Sequence, residues 1–379
     1  MRRFGLGLLM LLLLPLAGCQ ATEVNDASPA LGIGADLEGE QIKISIQLAK
    51  PLPPEQSGKE VPFTTVSGVG RTASEATRNI SLSIPRQALW SHAPAFFISD
   101  TLAQRDLSLI VDILSRDPEV RKSARIFVAR GNTVEEIMSS QTPLEPYSCL
   151  GIRDLLRAQE KQLGIYTAVS LGEFMFALST AGIDPLVPQV SLVKQGDKMM
   201  PTLDGTAAFK GKKMVGSLNR DETQGYRWMK TGLTQGGIII IPSPLDPQQK
   251  VSLEVIRSQS QSQTIIKDDE IKIKIEINAE GNFYEQNSIG QVLTPVNIKK
   301  MEELASREIT RQCHASIARA QLLDSDIFGW GRAVETASPH TWEQVKLDWY
   351  EIFPRIQAEV EVKFFIRRTY LTADSFVFR

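Results

Sequence analysis

Apolar and polar residues alternate in several segments near both ends of the chain, and this pattern predicts strands. Isoleucine and leucine occupy every second position over residues 42–48, which is the period of a strand with one buried face. The same alternation runs through residues 251–255, 271–277 and 358–366, and lysine and glutamate fill most intervening positions of the last two. We therefore expect C-terminal strands with one face toward a core and one toward solvent.

Three short motifs predict helix starts in the N-terminal half. Thr72, Thr133 and Ser170 each precede a glutamate by three residues, the arrangement in which hydroxyl and carboxylate cap the first helical turn reciprocally. Apolar segments at residues 95–98 and 125–129 fall between these helices and predict buried strands. Strands and helices that alternate in this way indicate a mixed sheet flanked by helices.

A long amphipathic helix is predicted before the last strand. Apolar residues recur at steps of three and four and define one helix face: Ile298, Met301, Ala305, Ile309, Cys313, Ile317 and Ala320. We expect this face to cover the C-terminal strands. Because Cys313 lies on it, a buried free thiol is favoured there, and a disulfide between Cys149 and Cys313 remains the alternative.

These elements predict a multi-domain α+β protein. Residues 31–188 are expected to form an N-terminal mixed α/β domain, a mixed sheet with helices. Residues 202–372 are expected to form a C-terminal α+β region, an antiparallel or mixed sheet backed by the long helix. Pro185 and Pro188 indicate a break in regular structure and place the boundary between the two. A separate small middle domain over residues 202–245 is the alternative.

The first residues predict export from the cytoplasm. Residues 1–3 include two arginines, and residues 4–16 are apolar with few interruptions. A cationic start followed by a short apolar run is typical of a signal peptide, here residues 1–18. A permanent membrane span is disfavoured, because polar residues follow the run at once and a span needs about 20 apolar residues.

Cys19 is the predicted lipidation site. Residues 16–19 read Leu-Ala-Gly-Cys, which resembles the lipobox of bacterial lipoproteins. The resemblance implies that the Cys19 sulfur receives a diacylglyceryl group and becomes the mature N-terminus, with residues 19–30 as a lipidated tether. Two or more acyl chains hold a protein stably on a membrane, whereas one holds it reversibly. A soluble secreted protein cut near Ala17, or an uncleaved anchor, is the alternative.

The composition is that of a globular chain with no strong charge bias. The full chain has 42 basic and 44 acidic side chains and a net charge of −2, and no block of like charge stands out. This balance argues against a nucleic-acid partner. A hydrophobic fraction of 42% over 379 residues is enough to bury substantial cores.

The sequence contains no motif that predicts a catalytic, cofactor-binding or metal-binding residue. Residues 68–73 read Gly-Val-Gly-Arg-Thr-Ala and fit a dinucleotide-binding loop only loosely, so a turn that needs glycines is favoured. His92, His314 and His340 are too scattered for a zinc site. His92 follows Ser91, but no nucleophile motif accompanies this pair, and a structural histidine is favoured.

Seven short strings, in this order and at these separations, resemble one known family. They are residues 31–36 (LGIGAD), 89–92 (LWSH), 114–119 (LSRDPE), 207–210 (AAFK), 326–331 (DIFGWG), 349–354 (WYEIFP) and 366–369 (IRRT). The chain resembles the Ger(x)C family from about residue 31 to residue 372. It departs from the family pattern after the lipobox, where Gln20-Ala21-Thr22 replaces the usual Trp-Asp and basic pair. The tether of this chain therefore differs from the usual one.

The resemblance implies a lipoprotein C subunit of a nutrient germinant receptor. Such a subunit is a three-domain mixed α/β protein without enzymatic activity. It works beside integral-membrane A and B subunits in the inner membrane of the spore. Five residues of the strings are expected to be core and turn residues rather than partner contacts: Trp90, Trp330, Trp349, Phe353 and Pro354.

Two other functions remain open at this point. A solute-binding lipoprotein would capture a small germinant molecule and would need a ligand pocket. A lipoprotein hydrolase acting on cell wall would need carboxylates or histidines clustered in a cleft.

Overall fold

The computed structural model describes residues 26–50, 61–268, 270–288 and 290–369, which form two sheets flanked by helices. The first sheet has nine strands in the order β3-β2-β1-β5-β6-β7-β8-β9, with β4 paired to β1. Strands β1, β5, β6 and β7 are parallel neighbours, and the outer pairs are antiparallel. The strands are β1 Ala27–Glu38, β2 Gln41–Ala49, β3 Phe63–Gly70, β4 Gln87–Leu89, β5 Ala95–Ser99, β6 Arg125–Ala129, β7 Leu186–Gln195, β8 Lys198–Lys210 and β9 Lys213–Leu218.

The central strands of this sheet are covered on both faces. In β5 every residue is buried. Phe96 and Ile98 pack into the core on one face, whereas Phe97 packs into the core on the other face and stacks on Phe127 at 5.4 Å. A near-continuous apolar strand is what a parallel strand between two helical layers requires. The predicted mixed sheet with helices on the N-terminal half is confirmed.

Six helices within the described ranges cover this sheet, and the predicted caps begin three of them. The helices are α1 Ala73–Ile80, α2 Asp100–Arg105, α3 Ser108–Arg116, α4 Val134–Ser139, α5 Ser148–Gln162 and α6 Leu171–Ser179. Reciprocal capping boxes form at Thr133 and Ser170. Thr72 also caps its helix, but the Glu75 carboxylate accepts the N–H of Arg71 at 2.8 Å rather than that of Thr72.

The second sheet is long and is covered on one face. Its order is β10-β12-β13-β14, with β11 also paired to β12, and β13 and β14 are parallel. The strands are β10 Gly232–Thr234, β11 Ile238–Pro242, β12 Lys250–Lys267, β13 Glu270–Gln286 and β14 Gln357–Thr369. The helices are α7 Arg220–Met229, α8 Pro295–Leu322, α9 Trp330–Ala337, α10 Pro339–Val345 and α11 Trp349–Ile352. Short 3-10 turns occur at Trp90–His92 and Phe353–Arg355.

The long helix α8 packs on this sheet as its apolar pattern predicts. Six of the seven predicted stripe residues are buried, and Ile298 packs against them partly exposed. The alternating isoleucines of β13 are buried beneath the helix, whereas Lys272 and Lys274 on the same strand form surface ion pairs. The α+β fold class, with one wet and one covered face at the C-terminal end, is confirmed.

Helix α8 also covers part of the β14 edge that faces away from β13. The backbone N–H of Phe364 donates to the Ser306 hydroxyl at 3.1 Å, and the N–H of Ile366 donates to the Glu302 carboxylate at 2.8 Å. These two N–H groups point away from the neighbouring strand. Side chains of the helix therefore supply the partners that a further strand would otherwise supply.

The predicted domain boundary between residues 188 and 202 falls on the β7–β8 hairpin. Pro188 lies inside β7, where the ladder to β8 is irregular between Pro188 and Val190. A bulge tolerates a residue without an N–H, which explains why the strand continues through this proline. The first sheet thus extends to Leu218, and the division of the chain into separate folding domains stays a prediction.

None of the helices in the described ranges combines the length and the apolarity that a membrane span needs.

Candidate functional site

Two buried aspartates mark the place where the two halves of the chain meet. Asp184 precedes β7 of the first sheet, and Asp326 follows helix α8 of the second half. Both are almost fully buried, with exposed fractions of 4% and 0%. We call these residues, together with Trp330, Trp349 and Tyr350, the aspartate junction. Burial of a carboxyl group is unfavourable unless its oxygen atoms find hydrogen-bond donors.

The Asp326 carboxyl group accepts three hydrogen bonds from the segment that follows it. One oxygen accepts the backbone N–H of Trp330 at 2.9 Å. The other accepts the backbone N–H of Gly331 at 2.8 Å and the indole N–H of Trp349 at 3.0 Å. Gly329 makes this turn possible with a φ of 70°, which suits glycine. The side chain therefore caps the start of α9 and fixes the indole of α11.

The Asp184 carboxyl group connects both halves of the chain. It accepts the backbone N–H of Gly211, in the turn between β8 and β9, at 2.8 Å. From the second half it accepts the backbone N–H of Asp326 at 2.8 Å and the hydroxyl of Tyr350 at 2.9 Å. The Lys210 ammonium group lies 4.7 Å from the centre of the Tyr350 ring. Asp184 thus holds the first sheet against the α8–α9 connection.

Burial controls the protonation of the junction. It raises the pKa of Asp326 to about 7, although the three N–H donors favour the charged form, and the nearby Asp184 raises it further. Burial also raises the pKa of Asp184 above its ordinary value. The pKa of Tyr350 is raised by burial and by Asp184. Both oxygens of Asp184 and both of Asp326 accept hydrogen bonds, so the arrangement is suited to joining the two halves of the chain.

A buried arginine makes a second connection between the halves. Arg227 in α7 is 4% exposed, and its guanidinium donates to the carbonyl oxygens of Glu160 and Gly164 at the end of α5, both at 3.1 Å. It also donates to the carbonyls of Gln235 and Gly236. Burial lowers the pKa of Arg227. A cation at a helix C-terminus satisfies free carbonyls and complements the helix dipole.

The first recognisable string, residues 31–36, packs helices onto the first sheet. A Cβ at Gly32 would lie 2.4 Å from the Cys149 sulfur, and one at Gly34 would lie 1.9 Å from Val134. Asp36 accepts the backbone N–H of Val134 at 3.3 Å and so caps α4. The glycines are needed for close approach, and the aspartate fixes the helix that approaches.

The structure shows the state of the two cysteine thiols and the location of Gly68 and Gly70. Cys149 and Cys313 are both free and buried, so no disulfide joins them, and burial raises the pKa of both. Gly68 and Gly70 lie in β3 rather than in the expected turn. Added Cβ atoms there would come within 2.5 Å of the backbone of Ala76. These glycines admit helix α1 onto the strand.

The five residues predicted to belong to the core and turns are buried or half-buried. Trp330, Trp349 and Phe353 are buried, as expected for core residues, and Trp90 and Pro354 are half-buried. Among the described residues, no group of three or more histidine, cysteine, aspartate or glutamate side chains could hold a metal ion. Cys19, the predicted lipidation site, lies outside the described ranges.

Two protein-family descriptions match almost the whole chain. "Spore germination protein N-terminal domain" matches residues 20–192, and "Spore germination B3/GerAC like, C-terminal" matches residues 204–370. The chain belongs to the Ger(x)C family. Two Bacillus subtilis (strain 168) proteins are similar along most of their length. Spore germination protein KC is 24% identical, covering 97% of this chain and 96% of its own, and putative spore germination protein YfkR is 24% identical, covering 93% and 92%.

A solved structure supports the fold of this Ger(x)C protein. The crystal structure of the GerBC protein matches it with a TM-score of 0.58 and 18% sequence identity, covering 88% of this chain and 96% of the other. Similarity at this identity shows the fold. The predicted family and the mixed α/β architecture are both confirmed.

The family-like strings include most of the junction but not Asp184, and nothing in the sequence indicated the second connection at Arg227. Asp184 lies 142 positions from Asp326, and nothing near it in the sequence announces a buried carboxyl group. Arg227 lies within a helix among other charged residues, and only the fold shows that it is buried. The clustering of tryptophans around Asp326 was the available signal.

Proposed function

We propose that the chain is the lipid-anchored C subunit of a nutrient germinant receptor, a non-enzymatic component needed for spore germination. The observation that carries the proposal is the family match over nearly the whole chain, behind a leader that ends in a lipobox-like Cys19. The aspartate junction supports the proposal, because its buried carboxyl groups accept hydrogen bonds that join the two halves of the chain. A body whose halves are joined in this way is suited to docking against other proteins.

The anchor is proposed at Cys19 on the extracytoplasmic face of the membrane. A labelled palmitate fed to expressing cells should attach to the full-length protein and not to Cys19→Ala. Cys149→Ala is the matched control, because Cys149 is buried in the folded body and should leave labelling unchanged. Label on Cys19→Ala, or none on the unaltered protein, would disprove lipidation at this residue.

The partners are proposed to be the integral-membrane A and B subunits of the receptor. Deletion of the gene should abolish germination in response to one class of nutrient while leaving chemically induced germination intact. Mild cross-linking of spore inner membranes should recover the protein together with both subunits. Recovery of the protein alone would contradict the assembly role.

A further inference from the structure

A cavity opens beside the aspartate junction, on the helix-covered side of the second sheet. It lies between the end of α7, the start of α9 and strands β12 and β13, and has a volume of about 270 Å³. Ligand pockets typically measure about 300 to 1,000 Å³, and this cavity lies just below that range, so only a small molecule would fit it. Phe328, Gly329 and Trp330 of the junction segment form one wall.

The body of the cavity is aromatic and apolar. Tyr226 lies 5.9 Å from Phe328, and Phe328 stacks on Trp330 at 4.9 Å, measured between ring centres. Ile275, which is only 1% exposed, and Met229 complete the apolar lining. Stacked rings and an aliphatic floor favour a planar or branched apolar group.

Polar groups at the cavity lack hydrogen-bond partners in the described part of the chain. The exposed Lys230 ammonium group forms no hydrogen bond and no close ion pair there, although its charge helps to lower the pKa of the Glu173 carboxyl group. The Tyr226 hydroxyl also has no hydrogen-bond partner, and burial raises its pKa to about 12, so it stays a donor at neutral pH. The nearby Glu173 carboxylate is already bonded to the N–H and hydroxyl of Ser170, both at 2.7 Å.

An ammonium group and a phenol that donate, beside stacked rings, together fit an anion that carries an apolar group. A carboxylate accepts from both kinds of donor, and such charge-assisted hydrogen bonds are the stronger ones. We propose that this cavity binds a small carboxylate with an apolar or aromatic body no larger than about that of phenylalanine. This binding role goes beyond the proposed subunit role and does not depend on it.

The direct test uses the full chain in detergent, titrated with phenylacetate and 3-methylbutanoate. Tryptophan fluorescence should change saturably, because Trp330 lines the cavity, and the melting temperature should rise with ligand. The neutral amides of the same acids should bind roughly tenfold or more weakly, since a hydrogen bond to a charged group is lost. Equal binding of acids and amides would refute the assigned carboxylate.

Two variants test the location of the site. Ala333→Leu fills the cavity and should abolish binding, whereas Ala337→Leu, on the exposed end of the same helix, should not. Lys230→Gln changes an exposed side chain, so the protein should still fold. The variant should bind the acids roughly tenfold or more weakly and bind the amides as before. Saturable binding that survives in both Ala333→Leu and Lys230→Gln, or no binding of either acid at about 10 mM, would overturn the proposal.

Discussion

Replacing Asp326 by asparagine should change how the stability of the protein depends on pH. The substitution keeps the size of the side chain but removes its ionisation. In the folded protein burial raises the pKa of Asp326 to about 7, whereas an unfolded aspartate has a pKa of about 3.9. The difference of roughly 3 units corresponds to about 4 kcal/mol between the two protonation states.

The sign follows from proton binding. Between pH 4 and pH 7 the folded protein keeps the Asp326 proton that the unfolded chain has lost, so the free energy of unfolding falls as pH rises. One proton gives a slope of up to about 1.4 kcal/mol per pH unit. Asp326→Asn lacks this term, although its amide leaves one N–H donor unsatisfied, which costs about 1–3 kcal/mol at every pH. Relative to the unaltered protein at the same pH, the variant should be most destabilised near pH 5 and least near pH 7.

Urea unfolding at pH 5, 6 and 7, followed by tryptophan fluorescence, measures the difference. The unaltered protein should lose stability relative to Asp326→Asn by roughly 1 kcal/mol per unit. Asp324→Asn is the matched control, because Asp324 is about half exposed and pairs with Lys210 at the surface. The opposite result is a difference in the free energy of unfolding between the unaltered protein and Asp326→Asn that stays constant with pH or widens toward pH 7. That result would show that the Asp326 carboxyl group is ionised throughout and that its three N–H donors outweigh burial.

Three further substitutions probe the packing of the fold. Gly32→Ala should destabilise by about 1–3 kcal/mol, because its Cβ would lie 2.4 Å from the Cys149 sulfur, and chemical denaturation should show part of this loss recovered in the double variant with Cys149→Ala. Arg227→Met should lower the free energy of unfolding by about 3 kcal/mol in the same assay, because four carbonyl oxygens in buried or partly buried hydrogen bonds lose their donor. Glu302→Ala should speed hydrogen exchange at the Ile366 amide, because that N–H donates to the Glu302 carboxylate.

The Arg227 and Glu302 substitutions each have a control in the chain. Arg220→Met changes an exposed arginine at the start of the same helix as Arg227 and should be nearly neutral. Glu303→Ala changes an exposed neighbour of Glu302 and should leave the Ile366 amide protected. Additive losses in the Gly32 and Cys149 double variant would argue against the clash, and equal effects of the two arginine changes would argue against the buried role of Arg227.

Local patterns predicted the elements of this fold well. A capping motif specifies a helix start from four consecutive residues, and complete boxes form at Thr133 and Ser170, where the sequence predicts them. The period of the apolar residues likewise fixed which face of α8 is buried. Pro188 does not end β7, because a bulge in the ladder beside it accommodates a residue without an N–H.

The long-range contacts were out of reach of such patterns. The hydrogen bond from the Asp326 N–H to Asp184 joins residues 142 positions apart, and either aspartate alone is an ordinary loop residue. The depth at which Arg227 is buried depends on how α7 sits between α5 and the second sheet. Where the sequence carried a family resemblance, it identified the segment of the junction without giving its geometry.

The partial covering of β14 by helix α8 limits what the protein can join. A bare strand edge recruits any extended chain by backbone bonding, and crowding multiplies such encounters. Because Ser306 and Glu302 accept hydrogen bonds from two outward N–H groups, the C-terminal part of β14 is less able to pair with an unrelated strand. Many copies could then gather on one surface without their sheets fusing into a fibril, leaving association to surfaces whose side chains select a partner.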